Sequence, residues 1–149
     1  MMAVDYDANI YPITEALTEP PVDHSAKANP EDVIIATAGD AVTIMHTVIL
    51  SSDGKWDETD ADASATTDGL IGVALTGAAA DGDSFIVVLK GYIRDDSYGW
   101  TAADVLWLHT TAGELVAAKP GAGDYARRVA NAITDDYIYF HGNAHVEAM

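Results

Sequence analysis

From Pro30 onward the chain alternates short β-branched runs with clusters of Gly, Asp, Ser and Thr. That texture belongs to strands and turns, because the apolar positions keep neither a 3.6-residue period nor helix length. Strands are predicted over residues 33–37, 41–50, 70–75, 84–94, 105–109, 114–117, 128–133 and 137–141. Turns are predicted at Gly39-Asp40, Ser52-Asp53-Gly54, Asp81-Gly82-Asp83 and Ala112-Gly113, where Gly and Asp tolerate backbone angles that other residues resist. Ser84 to Leu89 is almost continuously apolar, as in a central strand buried on both faces. Tyr137-Ile138-Tyr139-Phe140 alternates, with Ile and Phe on a core face and Tyr137 and Tyr139 on the opposite face, expected near a subunit interface.

Residues 1–32 have a different pattern. Pro12, Pro20, Pro21 and Pro30 interrupt scattered apolar residues that keep no sustained period. This segment reads as an extended N-terminal arm, able to reach about 100 Å when fully extended, followed by a β-rich domain over 33–149. Tyr6, Ile10, Tyr11, Ile13 and Leu17 would anchor the arm in grooves of a neighbouring protein. The competing expectation is that the segment folds back over its own domain. A weak internal repeat relates Gly39–Val42, Ile71–Leu75 and Phe85–Gly91 to Ala103–Leu106, Val129–Ile133 and Tyr137–Gly142. Such a duplication makes sense if each unit leaves a face that only the other can cover.

Length and composition narrow the fold class. At 149 residues the chain suits one domain, and with three Trp and two Phe its core must be filled mainly by Val, Ile, Leu and Ala. An all-β fold follows, a small β-barrel or β-sandwich. Seven Lys and Arg against 24 Asp and Glu give a formal charge of −17, which repels nucleic-acid phosphates and anionic membranes. The same charge keeps a protein dispersed at high copy number and leaves room for a basic partner surface. There is no Cys, so disulfides, thiolate zinc sites and Cys nucleophiles are excluded. No basic segment leading into a long apolar run points to a signal peptide or a membrane span, which implies synthesis in the cytoplasm.

No local motif carries recognisable chemistry. Asp57-Glu58-Thr59-Asp60-Ala61-Asp62 is densely acidic, but a calcium loop beginning at Asp60 would need Gly and Glu where Ala65 and Ile71 stand. A solvated loop is the expected outcome. His141 and His145 stand four apart in a turn-like tail rather than on a helix, with no Glu beside them. Gly121-Ala122-Gly123-Asp124-Tyr125-Ala126 follows Pro120 and lacks the βαβ setting of a dinucleotide loop. Asp95-Asp96 and Asp135-Asp136 are adjacent residues at strand ends, pointing to opposite faces. These readings predict no catalytic, cofactor or metal residues, a binding protein rather than an enzyme, and a core that folds without metal.

Several segments taken in order carry a resemblance. Ala38-Gly39-Asp40-Ala41-Val42, Gly69-Leu70-Ile71-Gly72-Val73-Ala74-Leu75, Asp81-Gly82-Asp83, Val87-Val88-Leu89-Lys90-Gly91-Tyr92-Ile93, Thr101-Ala102-Ala103-Asp104-Val105-Leu106-Trp107-Leu108 and Ala112-Gly113-Glu114-Leu115 resemble the head decoration, or capsid cement, proteins of tailed bacteriophages. The likeness spans about residues 33–142. It implies a β-rich structural virion protein, bound to the outer surface of a capsid through the major capsid protein, and a homo-oligomer, with a trimer favoured. It implies no cofactor, no nucleic-acid contact and no membrane contact. Two features depart from the family pattern: Ala103 stands where Gly commonly precedes Asp, and the acidic 51–68 loop is long. The alternative expectation is a receptor- or glycan-binding module of a virion fibre or surface protein.

Overall fold

The computed structural model describes residues 10–11 and 23–149. Its strands, in chain order, are β1 (Ile10–Tyr11), β2 (Ser25–Lys27), β3 (Val33–Thr37), β4 (Thr47–Leu50), β5 (Trp56–Glu58), β6 (Ile71–Ala74), β7 (Ser84–Val88), β8 (Gly91–Arg94), β9 (Val105–Leu108), β10 (Leu115–Val116), β11 (Tyr125–Ala126), β12 (Arg128–Ala132), β13 (Tyr137–Phe140) and β14 (Glu147–Ala148). Two 3-10 turns, Pro30–Asp32 and Ser64–Thr66, are the helical elements among the described residues. No helix among them is long and apolar enough to cross a membrane.

The chain is all-β. One sheet has the order β3-β7-β6-β4-β5, and a second has the order β1-β2-β8-β13-β12-β9-β10. The two pack as a β-sandwich and do not close into a barrel, which corrects the barrel alternative. A small ribbon pairs β11 with β14.

The topology makes the internal repeat explicit. In the first sheet, the leading strand β3 pairs with the last strand β7, then come β6, β4 and the hairpin partner β5. In the second sheet, the leading strand β8 pairs with the last strand β13, then come β12, β9 and the hairpin partner β10. All these pairings are antiparallel. The expected repeat matches the segments of β6 and β7 to those of β12 and β13, and Gly39–Val42 to Ala103–Leu106, of which the latter enters β9 while the former stands ahead of β4. The structure adds a leading strand and a hairpin partner to each unit.

The joint between units corrects the predicted strand over 84–94. That apolar run is two strands in different sheets, β7 ending the first unit and β8 opening the second, with Leu89-Lys90 between them. Gly91 makes the crossing possible: a Cβ there would lie 2.7 Å from the Lys27 carbonyl and 2.9 Å from the Ala28 Cβ. The predicted strand over 41–50 shortens to β4, leaving Val42 in an isolated bridge to Ala78.

The assignment of 1–32 to an arm is corrected at its C-terminal end. Ser25, Ala26 and Lys27 pair with Arg94, Ile93 and Tyr92 of β8, and Ala26 and Ala28 are buried in the core. Residues 25–28 therefore belong to the sandwich, and β1 pairs in parallel with β2. Tyr6, Ile13 and Leu17 lie outside the described residues, and of Ile10 and Tyr11 only the strand pairing is described.

Period-two alternation explains the packing. Ile86 and Val88 of β7, with Ile71 and Val73 of β6, face the core between the sheets, where they meet Ile93, Leu106, Leu108, Ile138 and Phe140. Phe85 and Val87 face the other way into a smaller core with Trp56, Val42, Val48 and Ala38. The first sheet is thus covered on both faces and β7 is central, as its continuous apolar run predicted. Among the described residues, the second sheet is covered on one face only.

Candidate functional site

The uncovered face of the second sheet is the first candidate. Ile138 and Phe140 are fully buried, while Tyr137 and Tyr139 are half-buried on the opposite side. The register places Tyr139 beside Tyr92 on β8, with ring centres 5.1 Å apart, and Lys27 beside Tyr92 in the next strand. On β9, Leu106 and Leu108 are buried and Trp107 faces outward, paired across the ladder with Arg128 and covered by Lys119, whose Nζ stands 5.6 Å from the ring centre.

The face gathers positive charge in an acidic molecule. Of the seven Lys and Arg, Lys27, Arg94, Lys119 and Arg128 lie on it, and Lys90 lines a cavity of about 300 Å³ with Tyr92, Tyr139, Asn29 and Asp32 at its edge. Arg127 is instead buried, and Lys55 pairs with Asp81 elsewhere. Arg94 bonds Asp96 and Asp136, and Lys119 bonds Glu147, so part of the charge is neutralised locally. Burial, followed by the nearby Arg128 and Lys90 charges, holds the His141 imidazole below its ordinary pKa.

A second candidate is a cavity of about 410 Å³ whose lining includes His24, His46, Asp95, Tyr98, Trp100 and Glu114. His46 is fixed at its wall. Its Nδ1 lies 2.8 Å from the Glu58 carboxylate, which also accepts the Thr43 amide. A carboxylate on that nitrogen requires an Nδ1–H. Gly113 permits the arrangement: its φ is +76° and a Cβ there would stand 2.3 Å from the imidazole. Tyr98 and Trp100 lean together with ring centres 5.8 Å apart. The Tyr98 hydroxyl and Trp100 indole N–H are buried without hydrogen-bond partners. Burial, with Asp95 nearby, raises the tyrosine pKa above its ordinary range.

At this cavity the fold joins residues far apart in sequence. His24 Nε2 stands 3.4 Å from Asp95 Oδ1 and 3.8 Å from Asp23 Oδ1. Asp95 is buried and its Oδ1 accepts the Ser97 amide and hydroxyl; Asp23 accepts the Asp96 amide. Sequence spacing gave no hint of this group, because its two halves meet only when β2 pairs with β8.

Other expected positions resolve differently. The acidic 53–68 stretch is not simply a solvated loop. It contains β5, buries Trp56, Thr59, Ala61 and Thr67, and ties itself down through the Thr66 and Thr67 hydroxyls on the Asp60 and Ala63 carbonyls. Asp53, Asp62 and Asp68 remain exposed, and burial raises the Asp60 carboxyl above its ordinary pKa. His141 accepts the Asn143 amide at Nδ1, and the Asn143 side-chain oxygen accepts the His145 amide. Residues 121–124 form a turn closed by the Asp124 amide on the Gly121 carbonyl. Asp95 turns inward to Ser97, and Asp96 turns outward to Arg94.

Comparison with known proteins finds no matching family model and no matching curated relative.

Proposed function

We propose that this chain is a structural virion protein that binds the outer surface of a tailed-phage capsid and stabilises it, working as a homo-oligomer, a trimer on the lattice. The observation that carries the reading is the one-sided second sheet. Its outer face combines Tyr92, Tyr139 and Trp107 with Lys27, Arg94 and Arg128 in a molecule of charge −17. Aromatic and Arg side chains are what protein interfaces select, and a concentration of basic groups, part of it paired with Asp96, Asp136 and Glu147, suits a neutral or acidic protein surface. The order of segments that resembles capsid cement proteins supplies the identity of the partner, the major capsid protein. Many weak contacts repeated over a symmetric lattice would give firm attachment without a large interface.

The test is co-sedimentation of the full chain with purified, expanded, empty shells of the virus that encodes it. The reading predicts saturation at a fixed number of chains per lattice site and raised shell resistance to heat. Binding to host cells or glycans with none to shells would replace it with the receptor-binding alternative.

A further inference from the structure

We propose that Asp23, His24 and Asp95 form a binding site for a divalent transition-metal cation of the zinc or manganese type. The proposal is independent of the capsid reading, because it concerns only the chain's own fold.

Geometry is the first argument. Two ligand atoms each about 2.1 Å from a tetrahedral ion stand about 3.4 Å apart. His24 Nε2 and Asp95 Oδ1 are 3.4 Å apart, His24 Nε2 and Asp23 Oδ1 are 3.8 Å apart, and one ligand atom from each residue falls within 4.8 Å of the others. Small side-chain rotations bring all three onto one ion. Two carboxylates and a neutral imidazole match a dication in charge, and the imidazole favours a transition metal over calcium or magnesium. The Ser97 amide and hydroxyl on Asp95 Oδ1, and the Asp96 amide on Asp23 Oδ1, already fix the orientation of both carboxylates, and an ion would share or displace some of these bonds.

The second argument comes from the adjoining cavity, which His24 and Asp95 line together with Tyr98 and Trp100. The Tyr98 hydroxyl and Trp100 indole N–H are buried donors without acceptors, an arrangement that folded proteins rarely leave unanswered. Three protein ligands leave coordination positions for water, and the cavity has room for it. Those donors have no surface that water touches in this arrangement, so a metal-bound water would accept from them only after the Tyr98 or Trp100 side chain turned toward the cavity.

The site also has a structural consequence. Asp23 and His24 lead into β2, and Asp95 follows β8, the strand with which β2 pairs. A shared ion would fasten the entry of the N-terminal segment to the sheet edge, so metal should stabilise the fold without being required for it.

Isothermal titration of the full chain, stripped with EDTA, with zinc chloride tests the proposal. The expected result is saturable binding of one ion per chain, no response to magnesium, and a higher melting temperature with zinc. His24→Ala and Asp23→Asn, at half-exposed side chains, should leave the circular dichroism unchanged and weaken binding by at least about tenfold. His145→Ala in the tail should leave binding unchanged. Absence of saturable one-to-one binding overturns the proposal, as does His24→Ala or Asp23→Asn binding within about tenfold of the parent.

Discussion

Three residues show how local physical chemistry sets stability here. Ala103 has φ +74° and is exposed. An L side chain in that left-handed region costs about 1–2 kcal/mol, part of which returns as unfolded-chain entropy when Gly replaces it. Ala103→Gly should therefore raise stability by about 0.5–1 kcal/mol, read as a higher urea midpoint; a lower midpoint would contradict the assigned backbone. Arg127 is buried, and its guanidinium donates to the carbonyls of Thr67, Gly69, Gly142 and Asn143. It joins the 67–69 segment to the C-terminal tail. Arg127→Met leaves four carbonyls without that donor and should cost about 3 kcal/mol or more, whereas a loss below about 1 kcal/mol would show that water replaces the guanidinium. His141 gives the fold a pH dependence. Its pKa is lowered in the folded state, chiefly by burial, so between the folded and unfolded values the unfolded chain binds more protons. Its contribution is complete above about pH 6.5 and declines as pH falls below that. The urea midpoint of His141→Gln should fall less than that of the parent between neutral pH and about pH 5; an equal fall would remove this role.

At the scale of elements, the two units of five strands share one order, yet among the described residues only the second has its leading strand covered, by β2. The equivalent strand β3 is the edge of its sheet among the described residues, with Ile35 69% exposed. Because β2 inserts Ala26 and Ala28 into the core, removing it uncovers β8. Deletion of residues 1–30 should lower the melting temperature well below that of a deletion of 1–22, which keeps β2. Equal melting temperatures for the two truncations would mean that β2 contributes nothing to the sandwich. Much of the strand pattern was legible because β3, β6, β7, β12 and β13 each carry a β-branched or alternating run bounded by Gly or Asp. What stayed hidden had no such signal. Ser25-Ala26-Lys27 looks like linker, and only its pairing with β8 makes it a strand. Trp56-Asp57-Glu58 looks like the start of an acidic loop, although Trp56 fills the smaller core. The break at Leu89-Lys90 was invisible because both flanking strands are apolar and nothing in their composition says that they belong to different sheets. The Asp23, His24 and Asp95 group was hidden for the same reason as β2, since it exists only through a long-range pairing.

For the whole molecule, the asymmetry between the sheets is the central fact. One sheet is buried on both faces, and the other turns a half-exposed row of tyrosine, tryptophan and basic side chains outward. The Tyr137 and Tyr139 pattern already pointed to that face; Tyr92, Trp107 and Arg128 join it only through the register, which no local motif announces. If this face is the docking surface, its side chains should govern attachment while leaving the sandwich intact, because they project away from the core. The most direct measurement is the affinity for purified shells of Tyr92→Ser/Tyr139→Ser beside that of Ile35→Ser, which alters the edge of the other sheet. The account predicts that the tyrosine pair weakens binding by at least about tenfold, or 1.4 kcal/mol, with unchanged circular dichroism, and that Ile35→Ser binds like the parent. Full affinity in the tyrosine variant, or loss confined to Ile35→Ser, would contradict it.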